Sequence, residues 1–334
     1  VKIFITGGGG LLGRHLVPEL LERGDQVRAL ALPGEDVSWL EDLGVAVHRG
    51  DICDPETLTT PMHGAEGVLH LAGMIGQWLP LHDYLQVNVT GTENVCRAAL
   101  AEGVQRVVCV SSWTVYGMAQ GPPCREDHPL TPFGEPYAVS KAEGDRLVQR
   151  MIADEGLPAV IIRPGTFFGR GDRLHFERIA ARLQANRSIV VGRGDNLLPF
   201  VYVTDVVQGL LLGLDHPQAV GEAFNITTDA PISQLELLQA IASEIGAPPP
   251  RVHVPYRALY AAGYAAERLS ALTHSTRQPP LTRLGVNVFG TSNRHSIDKA
   301  RTRLGYAPQV SLRDGVKLAA APEPRELQRV GAAR

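Results

Sequence analysis

The chain opens on Lys2-Ile3-Phe4-Ile5-Thr6-Gly7-Gly8-Gly9-Gly10-Leu11-Leu12-Gly13, an apolar run that passes through four glycines directly into helical periodicity. A strand that ends in a glycine turn and opens a helix is the first half of a β-α-β unit. There, missing side chains let the backbone approach a pyrophosphate at the positive end of the helix. The alternation continues through the first half of the chain, with apolar runs at 2–6, 26–31, 45–49, 67–71, 106–110 and 159–162 and helical stretches near 11–22, 84–101 and 137–154. This predicts an α/β fold with a parallel sheet, right-handed crossovers, and all strand C-termini along one ligand-binding edge.

Regularity stops after Arg163-Pro164-Gly165. The stretch 167–196 carries glycine-rich turns around one helix, and strand patterns return at 200–203 and 223–226, which predicts that the chain rejoins the sheet there. The expected organisation is a Rossmann-type doubly wound domain from 1–165 and 200–229. A smaller, discontinuous, mainly helical substrate domain comes from 166–199 and 230–320, followed by a tail at 321–334. The cleft between the two domains should hold substrate.

Composition narrows the function. The 334 residues carry a formal net charge of -3 with acids and bases interspersed, so no basic face offers itself to nucleic acid. Cys53, Cys96, Cys109 and Cys124 form no C-x-x-C pair and fall largely in apolar surroundings, which reads as reduced thiols in a cytoplasmic protein. No H-E-x-x-H or other spaced His and carboxylate cluster suggests a metal. The chain starts directly in a strand pattern without a secretory leader, and no run has transmembrane length. The nearest stretch, 252–266, is interrupted by Arg257 and ended by Glu267-Arg268.

Tyr137 and Lys141 stand four apart on a predicted helix and so share a face, where an ammonium can stabilise a phenolate. Upstream, Ser111-Ser112 ends the fifth apolar run. Gly7, Gly10 and Gly13 lie at the first turn with Leu11 and Leu12 opening its helix; Gly8, Gly10 and Gly13 also fit a dinucleotide spacing, which leaves the register open. Asp51-Ile52 follows the third strand, placed to bound an adenine, and Leu71-Ala72-Gly73 closes the fourth with small residues. The second strand ends Val27-Arg28-Ala29-Leu30-Ala31-Leu32-Pro33, with no carboxylate for ribose hydroxyls and no arginine after it for a 2′-phosphate. Arg14 and Arg28 are the candidate cations, and NAD or NADP is left undecided.

Together, 6–13, His70-Leu71-Ala72-Gly73, 110–117, 137–141 and Arg163-Pro164-Gly165 resemble the extended short-chain dehydrogenase/reductase family over nearly the whole chain. That resemblance implies catalysis by Ser112, Tyr137 and Lys141, with Ser111 as the neighbour of the catalytic serine and Pro164 among the cofactor contacts. Tyr137 exchanges a proton with the substrate oxygen, Ser112 polarises that oxygen, and Lys141 holds the nicotinamide ribose and lowers the phenol pKa. Dehydratases of the family carry Asp-Glu where this chain has Trp113-Thr114. Its nucleotide-sugar epimerases place an arginine where this chain has Asn196-Leu197-Leu198-Pro199. The segments 192–203 and 296–306 resemble instead the 3β-hydroxysteroid and sterol-4-carboxylate 3-dehydrogenase branch, which includes bacterial reductases of long-chain 2-alkyl-3-ketoacids. Met74, Trp78, Trp113, Phe167 and Tyr202 are expected along a hydrophobic substrate pocket, with Gln77 and His82 as polar possibilities. The expected activity is interconversion of a secondary alcohol and a ketone. The alternatives are a nucleotide-sugar 4-epimerase and a non-catalytic NAD(P) sensor. The family's two-helix dimer contact, here 84–101 and 137–154, implies a homodimer.

Overall fold

The computed structural model describes residues 1–118, 121–273 and 277–322; the tail expected at 321–334 lies outside them from 323 onward. The N-terminal half runs β1 (Lys2–Thr6), α1 (Leu11–Glu22), β2 (Gln26–Ala31), α2 (Ser38–Asp42), β3 (Ala46–Arg49), α3 (Glu56–Met62) and β4 (Gly67–His70). There follow α4 (Leu81–Leu85), a π-helical segment (Gln86–Gly91), α5 (Thr92–Ala101), β5 (Arg106–Val110), a 3-10 turn (Trp113–Tyr116), α6 (Pro136–Glu155) and β6 (Ala159–Pro164). Beyond it come β7 (Thr166–Phe168), α7 (Phe176–Gln184), β8 (Ile189–Val191), β9 (Leu197–Leu198), β10 (Phe200–Tyr202), α8 (Val203–Asp215) and β11 (Ala223–Ile226). The last elements are β12 (Ile232–Ser233), α9 (Gln234–Glu244), β13 (Val252–Val254), α10 (Tyr256–Leu272), α11 (Arg283–Gly290), α12 (Asp298–Leu304) and α13 (Leu312–Ala320).

Seven strands form one sheet in the order β11-β6-β5-β4-β1-β2-β3, and every pairing in it is parallel. This is the Rossmann-type doubly wound arrangement. Successive side chains of a strand point to opposite faces, so β1 sends Ile3 and Ile5 into one core and Phe4 into the other. Residues of α1, α8 and α9 fill the first core, and residues of α3, α5 and α6 fill the second. With both faces covered, the strands read as apolar runs rather than alternating ones.

Two elements depart from the sequence reading. Only β11 of the late strands rejoins the sheet; β10 pairs instead with β7 in a separate parallel ribbon. Gly165 separates β6 from β7 and lies so close to the carbonyl of Pro199, the residue before β10, that a side chain there would collide with it. The helix expected at 84–101 is broken by the π-helical turn 86–91. There Gly91 packs so closely on Ile52 that a Cβ would overlap it, and Asn88 is turned toward neighbouring segments. Insertions of this kind cluster at functional sites.

Candidate functional site

The glycine turn shows which spacing its backbone demands. Gly7 has φ +70° and lies against the Ala72 amide with no room for a Cβ. At Gly13 a Cβ would overlap the Gly8 carbonyl, whereas at Gly8 it would meet only ordinary contacts near 3.5 Å. Glycine is thus required at 7 and 13, with Gly10 as the N-cap of α1 between them. Gly10 offers no side-chain cap, so the first amides of α1, including those of Leu11 and Leu12, keep their donors for a ligand. A bare concave backbone at a positive helix end fits a dinucleotide pyrophosphate. Behind the turn, buried His70 bonds Thr6 Oγ1 at 2.7 Å and Thr92 Oγ1 at 3.0 Å, joining β1, β4 and α5. The Leu71 amide donates to the Thr6 carbonyl at 3.0 Å. Asp51 caps its own turn by accepting the Cys53 amide at 2.9 Å, and Ile52 is buried against Gly91.

Proline at the start of α6 sets its first turn. From there the helix carries Tyr137 and Lys141 past the ends of β4 and β5. Ser112 acts on the Tyr137 phenol from the end of β5, favouring its ionised form against burial. Ser112 is buried, caps the 3-10 turn, and accepts from Thr114 Oγ1 at 2.9 Å. Ser111 faces the other way, donating to Asp145 at 2.6 Å. Lys141 Nζ donates to the Val110 carbonyl at 2.7 Å and stands beside Gly73, where a Cβ would lie 3.3 Å from it. Burial pushes the Tyr137 phenol up to about 12 against the opposing pull of Ser112, and pushes Lys141 down to about 8.

A second layer lies behind these groups. Asp145, one turn beyond Lys141, pairs with Arg163 of β6 through Nε and Nη2, each at 2.8 Å, and accepts from Gln149 at 2.6 Å. Burial raises its carboxyl pKa, but Arg163 and the donated hydrogen bonds prevail and hold it below the usual range. Arg163 continues to the Tyr116 hydroxyl at 2.8 Å, which donates to Asn225 of β11 at 2.8 Å.

The expected pocket residues divide. Met74 and Trp78 are half-buried in the segment after Gly73, and Asn88 grips Met74 by both its amide, at 2.8 Å, and its carbonyl, at 3.1 Å. Asn88 Nδ2 also reaches Ser140 of α6 at 2.9 Å. Trp113 is buried edge-on to Phe133 and donates from Nε1 to Thr166 at 2.9 Å, fastening the segment after Ser112 to β7. Phe167 is half-buried on that strand, while Tyr202 is buried edge-on to Phe168. Pro164 ends β6 in register with Ile226. Asn88 had no sequence signal beyond its place in an apolar helix pattern, and Asp145 had only its spacing from Lys141. Among the described residues no group of three or more His, Cys, Asp or Glu is arranged for a metal, and no helix is long and apolar enough to cross a membrane.

The profile of the NAD dependent epimerase/dehydratase family matches residues 3–227. The chain is 34% identical over 327 residues to a 2-alkyl-3-oxoalkanoate reductase of Stenotrophomonas maltophilia, covering 95% of this chain and 98% of that protein. It is 29% identical over 331 residues to the decarboxylating sterol-4-alpha-carboxylate 3-dehydrogenase of Mus musculus, covering 95% and 89%. Among solved structures, UDP-glucuronic acid 4-epimerase from Bacillus cereus, in complex with UDP-glucuronic acid and NAD, superposes with a TM-score of 0.76. That match is 23% identical over 96% of this chain and 98% of that one, a likeness of fold.

Proposed function

The chain belongs to the NAD dependent epimerase/dehydratase family and is an NAD(P)-dependent dehydrogenase/reductase, and on that premise we propose that it interconverts a secondary alcohol and a ketone on a hydrophobic substrate of the 3β-hydroxysteroid or 3-hydroxy/3-keto acid kind. The observation that carries this reading is the placement of Lys141 one turn along the same helix from Tyr137, with Ser112 buried at the end of β5 and lowering the phenol pKa against burial. When bound, the nicotinamide supplies or accepts the hydride. The glycine turn and the opening amides of α1 would hold the pyrophosphate, and Lys141 beside Gly73 would hold the neighbouring ribose. With its proton held by burial, Tyr137 donates to the oxygen of a ketone being reduced and takes the proton back from an alcohol. Ser112 bonds the same oxygen and keeps it within reach of the phenol. Half-buried Met74, Trp78 and Phe167 support an apolar substrate. Asn196, where an arginine would serve a diphosphate, instead gives its Nδ2 to the Phe289 carbonyl at 2.7 Å. The family resemblance adds to this reading a homodimer built on 84–101 and 137–154, and the reduced thiols add a cytoplasmic setting.

The test is nicotinamide absorbance when purified protein meets NAD or NADP with a 3β-hydroxysteroid, a long-chain 3-hydroxy acid or a UDP-hexose. Steady reduction with a hydrophobic alcohol is expected, and Tyr137→Phe should lower it about a thousandfold with little change in nucleotide affinity. Conversion of the UDP-hexose to its epimer without net reduction would replace this reading with the epimerase one.

A further inference from the structure

Cofactor choice in a doubly wound fold is made where the second strand ends. Here β2 ends at Ala31 without a carboxylate, and the cations of this edge are already engaged. Arg28 donates to the Pro61 carbonyl at 2.9 Å, and Arg14 lies 5.5 Å over the Trp39 ring. Arg49 donates to the Glu35 carbonyl at 2.6 Å and to the Glu41 carboxylate at 3.3 Å. What the edge presents instead is Glu35. Leu32-Pro33-Gly34-Glu35 forms a tight turn closed by the Glu35 amide on the Leu32 carbonyl at 3.1 Å, with Gly34 at φ +82°. Proline second and a left-handed glycine third are what a type II turn requires. The turn doubles back until Glu35 Oε2 accepts the Leu32 amide at 3.1 Å. Its Oε1 then overhangs Gly9, where a Cβ would collide with it.

A carboxylate fixed in this way lies over the glycine turn, on the side where the adenosine ribose of a dinucleotide carries either a free 2′-hydroxyl or a 2′-phosphate. We propose that Glu35 makes the protein selective for NAD(H) over NADP(H), an inference that rests on the dinucleotide-dependent reading above. The carboxylate accepts hydrogen bonds from ribose hydroxyls. A 2′-phosphate in the same place meets like charge, with Arg14 stacked on Trp39, Arg28 bonded to the Pro61 carbonyl, and Arg49 spent on the backbone carbonyl of Glu35 and the Glu41 carboxylate. The side chain is held in place before ligand arrives, so the ribose bonds cost little ordering.

The experiment is titration of the purified protein with NADH and NADPH, followed by nicotinamide fluorescence and without substrate. NADH should bind at least about tenfold tighter, and Glu35→Gln should close most of that gap, chiefly by tightening NADPH. NADPH binding as tightly as NADH to the wild type would overturn the inference and leave the oxidoreductase reading standing. An equal loss for both nucleotides in Glu35→Gln would overturn it too, since Glu35 would then only shape the turn. Binding of neither nucleotide would overturn both readings.

Discussion

Tyr137 and Lys141 are displaced by burial in opposite senses, the phenol up to about 12 and the ammonium down to about 8. Below 8 the free protein therefore presents a protonated phenol beside a charged lysine, the state that reduces a ketone. As pH rises, Lys141 loses its charge first. The kcat/KM for reduction, which reports groups of the free enzyme, should be level near neutrality and fall through about pH 8. A profile that holds until roughly pH 10, the range of unperturbed lysine, would remove Lys141 from that role. The Tyr-Lys pair was legible because helical spacing alone puts both on one face. The division between Ser111 and Ser112 was not, since neighbouring residues at a strand end look alike until Asp145 claims one of them. Glu35 was missed for a related reason: it stands past the strand end, beyond Leu32-Pro33-Gly34, and only the closed Pro-Gly turn returns it.

Among the elements, α6 matters most, because it carries the proposed catalytic pair, Tyr137 and Lys141, on one stretch and Asp145 on the next. The Asp145–Arg163 pair is buried and ties this helix to β6, while Ser111 joins the same carboxylate to the end of β5. Removing one charge of a buried pair leaves the other uncompensated. Asp145→Asn should therefore cost about 3–5 kcal/mol in denaturant unfolding, whereas changing exposed Arg193, paired to Asp195, to Ala should leave the unfolding midpoint almost where it was. Equal effects at the two sites would show that the buried pair holds nothing in place. Strand patterns predicted most strands of the sheet, because a parallel sheet covered on both faces writes its strands as apolar runs. The partner of β10 was not written that way: a local pattern reports that a strand exists, while its pairing with β7 depends on how the Gly165 turn packs. The π-helical turn was hidden likewise, since one extra residue in a helix scarcely alters the apolar spacing.

For the whole molecule, acid is the predicted weakness. His70 and His295 are buried, and burial pushes each down to about 3 from an ordinary value of 6.5. The unfolded chain then binds more protons than the folded one, so their contribution is intact above about 6.5 and is lost as pH falls toward 3. At pH 5 the loss is about 2 kcal/mol for each histidine. Glu126, Glu135 and Asp205, raised by burial, act in the opposite direction and soften the drop. The melting temperature should fall between pH 7 and 5, and His70→Asn should remove part of that fall; a melting curve indifferent to this interval would contradict the assignment.

The order of strands also sets a schedule for the newborn chain. Strand β1 pairs with β2, and β2 with β3, early in synthesis, and α6 follows with Tyr137 and Lys141. The outermost strand, β11, arrives only after α8, and with it Asn225, whose side chain accepts from Tyr116 and donates to the Cys124 and Ser296 carbonyls. At about 5–20 residues per second, the ribosome holds the wall behind the proposed active site open for some seconds after Tyr137 and Lys141 have emerged.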